Sequence, residues 1–162
     1  MKNKPFNLVA VGGTFDRLHK GHKALLRVAL SIGRKVVVGV TSDEMVSKSK
    51  ADQEVNSFEV RVKRLKTWIE EEKSEDVHYD ITRIDDVYGT SISEEELEAI
   101  VVSEETLYRA LEINRIRVEK GLRPLVIVVV PMVLAYDGKP ISSSRIRRGE
   151  INEEGEPITR HS

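Results

Sequence analysis

Residues 6–22 have the sequence FNLVAVGGTFDRLHKGH, from which the fold class can be inferred. Its first six residues are mostly apolar and predict a buried strand, Phe6 to Val11, that ends at Gly12-Gly13. From His22 onward the apolar side chains follow a helical spacing, and Gly33 indicates the end of that helix. Lys35 to Thr41 predicts a second buried strand. Strand, glycine turn, helix and strand form a βαβ unit, so we predict that its two strands are parallel.

The rest of the chain continues this alternation. Ser42 to Asn56 is polar and predicts a short helix followed by a loop. Further helices are predicted at Phe58–Ile69, Leu107–Val118 and Ser142–Arg148, and strands at Val77–Ile84, Leu97–Ser103 and Leu125–Val130. The pattern is typical of an α/β fold, and we predict a doubly wound, Rossmann-like domain with a mostly parallel five-stranded sheet. We expect residues 1–162 to form this single domain, with residues 151–162 as a loose C-terminal tail.

Composition excludes several classes of function. The chain has 162 residues and no cysteine, which excludes disulfides, zinc–thiolate sites and thiol catalysis. Its net charge of −1 gives no reason to expect a nucleic-acid partner. The longest apolar run, Leu125 to Val130, is too short to span a bilayer, so we expect no membrane partner and a cytoplasmic location.

The turn after the first strand has the chemistry of an anion site. In doubly wound sheets, ligands bind at the carboxyl ends of strands, where Gly12-Gly13 and Thr14 lie. His19 and His22 are three residues apart and share a face of the first helical turn, and the helix N-terminus attracts negative charge. No G-x-x-x-x-G-K-[ST] or G-x-G-x-x-G motif is present here, and no third metal ligand accompanies the histidines. The non-functional alternative is that both histidines are polar residues of an ordinary turn.

Two segments resemble the signatures of the nucleotidyltransferase superfamily. Thr14-Phe15-Asp16 with His19-Lys20-Gly21-His22 looks like its T/H-x-G-H motif, and Ile141 to Arg147 looks like its I-S-S-T-x-I-R motif, about 120 residues later. Ser144 stands where that motif usually has Thr, which keeps the hydroxyl group. The middle of the chain is similar to the phosphopantetheine adenylyltransferases of the archaeal and eukaryotic type. The matching stretches are Val101–Thr106, Ile113–Arg115, Lys48–Lys50 and Asp86–Gly89.

This resemblance implies reversible transfer of an adenylyl group from ATP to 4′-phosphopantetheine, giving dephospho-coenzyme A and pyrophosphate in coenzyme A biosynthesis. It implies that His22 and Lys48 are catalytic. The implied ATP-binding residues are Gly13, Thr14, Phe15, His19, His22, Ser142, Ser143, Ser144 and Arg145. The implied phosphopantetheine-binding residues are Thr14, Lys48, Lys50 and Tyr88. Coenzyme A itself is a further expected ligand. Mg²⁺ is expected with ATP, held mainly by the phosphates, with no protein ligands named.

Several alternatives stay open at this point. Lys48 is favoured only slightly over Lys50, and a monomer only slightly over an oligomer. The arginine-rich I-R-G-L-R segment of the bacterial enzymes has no counterpart, and its role could fall to Arg109, Arg115 or Arg117. Asn114 could pair with a buried backbone group or bind substrate. The basic run from Arg61 to Lys66 predicts a solvated helix face.

Rival functions also follow from the signatures. The two motifs alone do not distinguish this activity from a nicotinamide mononucleotide adenylyltransferase, an FAD synthetase or a glycerol-phosphate cytidylyltransferase. A nucleotide-binding regulator without turnover is a rival of a different class. It is disfavoured because His22 and the loop lysines are present. A purely structural module gives no reason for Gly-Gly-Thr beside H-x-G-H.

Overall fold

The computed structural model describes residues 3–49 and 54–158. Strands and helices alternate along these two ranges. Their bounds are β1 (Phe6–Gly13), α1 (Lys20–Ile32), β2 (Gly33–Thr41), α2 (Asp43–Ser49), α3 (Phe58–Glu72), β3 (His78–Ile84), β4 (Ala99–Ser103), α4 (Leu107–Glu119), β5 (Val126–Val130) and α5 (Ser143–Arg147). No helix in the described ranges is long and apolar enough to cross a membrane. The cytoplasmic location stays a prediction.

The five described strands form one parallel sheet in the order β3-β2-β1-β4-β5. The predicted α/β fold with a five-stranded sheet is therefore confirmed. Val11 of β1 lies opposite Val38 of β2 on one side and Val101 of β4 on the other. The chain first adds strands on the β2 side and then crosses to the β4 side. This change of direction creates a crevice at the carboxyl ends of β1 and β4.

Helices cover the two faces of the sheet unequally. Helices α1 and α3 pack on one face and bury Leu26 and Leu65 against the valines of β1 and β2. On the other face, Ala110 and Ile113 of α4 pack against Ile100 of β4. Helix α4 contacts β4, so much of that face over β2 and β3 lines an open cavity instead.

Asn114 secures the start of β5. Its Nδ2 donates to the carbonyl oxygen of Leu125 (2.9 Å), and its Oδ1 accepts from the N–H of the same residue (2.7 Å). Both backbone groups would otherwise be partly buried without a strand partner, which is costly. Of the two roles left open for Asn114, the structure supports the pairing with backbone.

The segment after α5 differs from the expected loose tail. Ile151 is fully buried beside Ile141, and residues 151 and 157 form an antiparallel bridge. The carbonyl oxygen of Glu153 accepts a hydrogen bond from the N–H of Lys20 (2.9 Å), at the start of α1. Residues 151–158 therefore pack on the domain because they bury apolar area and satisfy a helix terminus. Residues 159–162 lie outside the described part of the chain.

Candidate active site

A cavity of about 300 Å³ opens at the carboxyl end of the sheet. Both signature segments line it. Its residues include Gly13, Thr14, Phe15, His19 and His22 from the first segment and Ser142, Ser143 and Ser144 from the second. We call it the histidine cavity. All predicted ATP-binding residues except Arg145 line this cavity, so the fold gathers side chains that are far apart in the sequence.

The first turn of α1 fixes both histidines. His19 is the N-cap residue, and its Nδ1 accepts hydrogen bonds from the N–H groups of Gly21 (3.1 Å) and His22 (3.3 Å). In return, Nδ1 of His22 accepts from the N–H of His19 (3.2 Å), which completes a capping box. A Cβ at position 21 would lie 2.9 Å from Cε1 of His19, so glycine is required there. The helix terminus thus positions both imidazoles without a ligand.

These bonds determine which ring nitrogen carries the proton. A nitrogen that accepts a hydrogen bond from a backbone N–H is unprotonated, so the pattern assigns the proton of each neutral imidazole to Nε2. Burial lowers the pKa of His19 to about 4, against the opposing effect of the Asp16 carboxylate. His19 is therefore neutral at pH 7. The two rings stack with centroids 3.6 Å apart, and each has Nε2–H as its donor.

The turn that leads into α1 has an unusual backbone. Phe15 and Arg17 have φ values of 53° and 56°, in the left-handed region that non-glycine residues rarely adopt. Asp16 between them is buried, and its Oδ1 accepts from the N–H of Asn56 (3.1 Å). Residues held in such conformations cluster at functional sites, where surrounding contacts maintain them. Here the contacts of Asp16 maintain the left-handed conformations of Phe15 and Arg17.

Arg61 of α3 braces the same turn. Its side chain is buried, and its guanidinium donates to the carbonyl oxygens of Thr14 (2.9 Å) and Asn56 (2.9 Å) and to Oδ1 of Asp43 (3.1 Å). The hydroxyl of Thr14 is hydrogen-bonded to that of Thr41 at the end of β2 (3.1 Å). Thr14 is therefore held through both its backbone and its side chain.

For Arg61 the predicted solvated face is wrong. Arg61 precedes the core residues Leu65 and Ile69 by one and two helical turns, so it lies on the buried face of α3. The helical spacing of Arg61, Leu65 and Ile69 could have predicted the burial of Arg61 from the sequence. The basic neighbours Lys63, Arg64 and Lys66 are exposed, as expected for a solvated face.

Arg145 does not line the histidine cavity. Its guanidinium lies 2.5 Å from Oδ2 of Asp137 and 3.3 Å from Oε1 of Glu150, and it is largely buried by these contacts. Arg147 lines the cavity instead and forms an ion pair with Asp16. Residues two positions apart in a helix point in different directions, so only one of the two arginines can face the cavity. Arg147 thus lines the cavity where Arg145 was predicted to lie, and ATP binding by either arginine stays a prediction.

The three arginines proposed for the missing bacterial segment lie elsewhere. Arg117 is fully buried, and Nη1 donates to the carbonyl oxygens of Ser91 and Glu94, which indicates a structural role. Arg115 is exposed on α4 and lines neither cavity described in this section. Arg109 lines a second cavity and not the histidine cavity. Among the described residues, Arg147 is the arginine of the histidine cavity.

The second cavity has a volume of about 270 Å³ and lies on the sheet face that α4 leaves open. Apolar side chains of the sheet form its floor, and Tyr88, Tyr108 and Arg109 line it as well. We call it the apolar cavity. It shares Gly12, Gly13 and Thr106 with the histidine cavity, so the two meet at the end of β1.

Tyr88 lines the apolar cavity as part of a small polar cluster. Its hydroxyl donates to the carboxylate of Glu112, and this hydrogen bond is the largest cause of a raised Tyr88 pKa. Arg109 lies beside the same carboxylate, with Nη1 3.5 Å from Oε2 of Glu112. The hydroxyl of Tyr88 therefore stays protonated at neutral pH and anchors this end of the cavity.

The two predicted lysines cannot be placed in either cavity. Lys48 is in the last turn of α2, where its side chain is exposed, and it lines neither cavity. Lys50 lies outside the described residues. Helix α2 follows β2 directly, at the same edge of the sheet as Gly12-Gly13. The catalytic function expected of Lys48 stays a prediction.

The described residues do not form a metal-binding cluster of their own. No group of three or more metal-ligating side chains is present among them. Asp16 forms an ion pair with Arg147, and Glu105 is the carboxylate among the described residues that line the histidine cavity. The Mg²⁺ expected with ATP stays a prediction.

The sequence model of the family described as "Cytidylyltransferase-like" matches residues 10–149, which include both signature segments. Fold and site therefore define a nucleotidyltransferase domain. A "Phosphopantetheine adenylyltransferase" from Methanothermobacter thermautotrophicus is 49% identical over 160 residues, which cover 99% of this chain and 94% of that protein. A protein of the same name from Methanopyrus kandleri is 49% identical over 148 residues, covering 91% and 92%. The chain belongs to the phosphopantetheine adenylyltransferases of the cytidylyltransferase-like family.

The fold has a close counterpart among solved structures. A protein of unknown function from Archaeoglobus fulgidus matches with a TM-score of 0.68 and 38% identity, covering 75% of this chain and 87% of that one. The resemblance inferred from the signature segments is thus confirmed by relatives in sequence, and the fold by a relative in structure.

Proposed function

We propose that the chain catalyses the reversible transfer of the adenylyl group of ATP to 4′-phosphopantetheine, forming dephospho-coenzyme A and pyrophosphate. One observation carries the proposal: the histidine cavity, which is lined by both signature segments, meets the apolar cavity at Gly12, Gly13 and Thr106. The first suits a triphosphate, and the second suits the organic arm of a phosphorylated acceptor. Relatives that share about half of the sequence bear the name of this activity.

In this reaction an oxygen of the acceptor phosphate attacks the α-phosphorus of ATP. The bond between the α-phosphorus and the oxygen that bridges to the β-phosphate breaks, and pyrophosphate leaves with the electron pair. The protein need form no covalent bond, because positioning and charge stabilisation lower the barrier. Nε2–H of His22 donates to an α-phosphate oxygen, and the N-terminus of α1 adds backbone donors and positive potential.

The remaining residues of the histidine cavity bind the nucleotide. His19, Gly13, Thr14 and Phe15 contact the phosphates from the first signature segment. The hydroxyls of Ser142, Ser143 and Ser144 contact the β- and γ-phosphates from the second, and Arg147 supplies the positive charge earlier expected of Arg145. A neutral His19 acts there as a hydrogen-bond donor rather than as a cation.

The acceptor occupies the junction and the apolar cavity. Thr14 receives its phosphate at the junction, and Tyr88 contacts the pantetheine arm. A lysine of the segment 48–50 neutralises the acceptor phosphate as it approaches the α-phosphate. The apolar floor of the cavity matches the two methyl groups and the methylene groups of that arm.

Mg²⁺ is part of the proposal as the companion of ATP. When bound to the phosphates, it would neutralise charge that develops on the leaving pyrophosphate. The protein residues then orient the nucleotide and provide hydrogen bonds. We expect turnover to stop when EDTA removes the metal and to return when excess Mg²⁺ is added.

A pyrophosphate-release assay tests the proposed function. The purified chain is supplied with ATP and Mg²⁺ and with one acceptor at a time: 4′-phosphopantetheine, nicotinamide mononucleotide, flavin mononucleotide or glycerol phosphate. A parallel series with CTP tests the nucleotide. We expect release with ATP and phosphopantetheine, and a much lower rate for His22→Gln prepared in the same way. Release of pyrophosphate with only one of the other acceptors would contradict phosphopantetheine as the substrate and still support nucleotidyl transfer. Release with none of the acceptors would refute turnover.

A further inference from the structure

We infer that Arg109 is a specificity-determining residue for the acceptor, and that its guanidinium binds amide carbonyl groups of the pantetheine arm. The inference rests on the proposed function. It assigns to Arg109 a role in recognising the acceptor and not in binding ATP. Arg109 lies in the first turn of α4 and lines the apolar cavity, and it is absent from the lining of the histidine cavity.

Neighbouring side chains hold the guanidinium of Arg109 in place. Nη1 lies 3.5 Å from Oε2 of Glu112, and Nη2 donates to the hydroxyl of Tyr108 (3.3 Å). The same group lies over two aromatic rings, 5.8 Å from the centroid of Tyr88 and 5.1 Å from that of Tyr108. The hydroxyl of Tyr88 in turn donates to Glu112, which fixes the carboxylate. A guanidinium held in this way loses little entropy when a ligand binds.

Several N–H groups of Arg109 are available to a ligand. A guanidinium has five N–H groups, and two of them make the contacts to Glu112 and Tyr108, which leaves three for a ligand or water. Its side chain is 28% exposed, so these donors can reach an occupant of the cavity. Arg109 does not line the histidine cavity, and its remaining N–H groups can donate to neutral oxygens such as those of amides.

The position of the junction determines which part of the acceptor meets Arg109. The phosphate must lie near Gly13 and Thr14, where the two cavities meet and the α-phosphate can be attacked. The arm then extends over the apolar floor, formed by Ala10, Val37 and Ile100 among others, towards α4. Beyond its methyl and hydroxyl groups the arm carries two amide carbonyls, which are good acceptors for a guanidinium. Nicotinamide mononucleotide and glycerol phosphate have no such chain of amides.

The variant Arg109→Met tests this inference, because methionine keeps the length and apolar stem and removes the charge and donors. We expect kcat/KM for phosphopantetheine to fall about 10- to 100-fold, the range of a hydrogen bond to a charged group. KM for ATP, measured at saturating acceptor, should change less than about two-fold. The kcat/KM of Arg109→Lys for phosphopantetheine should lie between that of the wild type and that of Arg109→Met. Arg115→Met, further along α4 on an exposed site, is the matched control and should behave as the wild type.

The outcomes separate the inference from the proposed function. Turnover of phosphopantetheine by the wild type tests the function, whereas the ratio of variant to wild type tests the assignment of Arg109. An Arg109→Met variant with unchanged kinetics, or one in which KM for ATP rises and the acceptor is unaffected, would overturn the assignment. Urea unfolding of each variant shows whether it is folded. If Arg109→Met does not fold, Arg109→Lys, which keeps the positive charge, provides the comparison of kcat/KM with the wild type.

Discussion

Asp16 and Arg147 form an ion pair that joins the two signature segments across 131 positions of sequence. The side chain of Asp16 is fully buried and that of Arg147 is 8% exposed, so water screens the pair little. The hydroxyl of Ser143 donates to the carbonyl oxygen of Asp16, which adds a second bond between the same segments. These contacts set the position of the serines relative to the histidines.

Removal of one partner should therefore destabilise the fold. We expect Asp16→Asn to lower the free energy of unfolding by about 3 kcal/mol, because the buried ion pair between the Asp16 carboxylate and the Arg147 guanidinium is lost. Urea unfolding followed by circular dichroism measures the change. Asp85→Asn is the control, since its ion pair with Arg83 is exposed and should contribute less than about 1 kcal/mol. Similar small losses in both variants would contradict a structural role for the buried pair.

Stability should also depend on pH through His19. Burial lowers its pKa from 6.5 to about 4, so between these values the unfolded chain binds a proton that the folded chain does not. The contribution of His19 is thus fully present above pH 6.5 and is lost as the pH falls towards 4. Between pH 7.5 and pH 5 this amounts to a loss of about 2 kcal/mol.

The variant His19→Asn isolates this effect, because asparagine retains an N-cap acceptor and does not titrate. Urea unfolding of both proteins at pH 7.5 and pH 5 gives the comparison. We expect the wild type to lose about 2 kcal/mol more than the variant over this interval. Parallel pH dependence of the two proteins would show that His19 has an ordinary pKa in the folded chain.

His22→Gln separates the helix cap from the chemistry. Glutamine at this position of a capping box can still accept from the N–H of His19 through its amide oxygen, whereas its amide N–H donors do not coincide with the Nε2–H of the imidazole. We expect kcat to fall about 10²- to 10³-fold, the cost of removing a donor to developing negative charge. The free energy of unfolding should change by less than about 1 kcal/mol. Pyrophosphate release at saturating substrates and urea unfolding provide the two measurements, and unchanged turnover would exclude His22 as that donor.

Single substitutions can distinguish the two lysines. We expect Lys48→Ala to lower kcat/KM for the acceptor about 10- to 100-fold, as for loss of a charge-assisted hydrogen bond, and Lys50→Ala to have the smaller effect. Lys63→Ala on the exposed face of α3 serves as the control. A larger loss in Lys50→Ala would transfer the function to that residue. Losses no greater than that of the control would exclude both.

Local sequence patterns predicted the elements well. The helical spacing after His22 and the glycine at position 33 predicted α1, which runs from Lys20 to Ile32 with Gly33 as its C-cap. The strand bounds differ by a few residues at most; β1, for example, continues through Gly12-Gly13. These features depend on backbone propensity and on periodic burial, which are properties of neighbouring residues.

Orientation of individual polar side chains was harder to predict. Arg61 was expected in solvent and is buried, and Arg145 was expected in the histidine cavity and faces Asp137. Arg61 donates to the carbonyl oxygen of Thr14, 47 residues away, whereas Arg145 donates to Asp137, only 8 residues before it in an irregular segment. Residues 151–157 illustrate the same limit, since Ile151 packs on Ile141 rather than on its sequence neighbours.

The amino-acid sequence alone was enough to predict the succession of strands and helices along the chain, the two histidines at the start of α1 and the pairing of two signature segments that indicates nucleotidyl transfer. Each of these follows from residue type and spacing along the chain. The packed fold was needed to show that Arg147 and not Arg145 lines the histidine cavity, and that Asp16 and Arg61 hold its turn. The reason is physical: a charge is buried only where a partner meets it, and that partner is supplied by packing between distant segments.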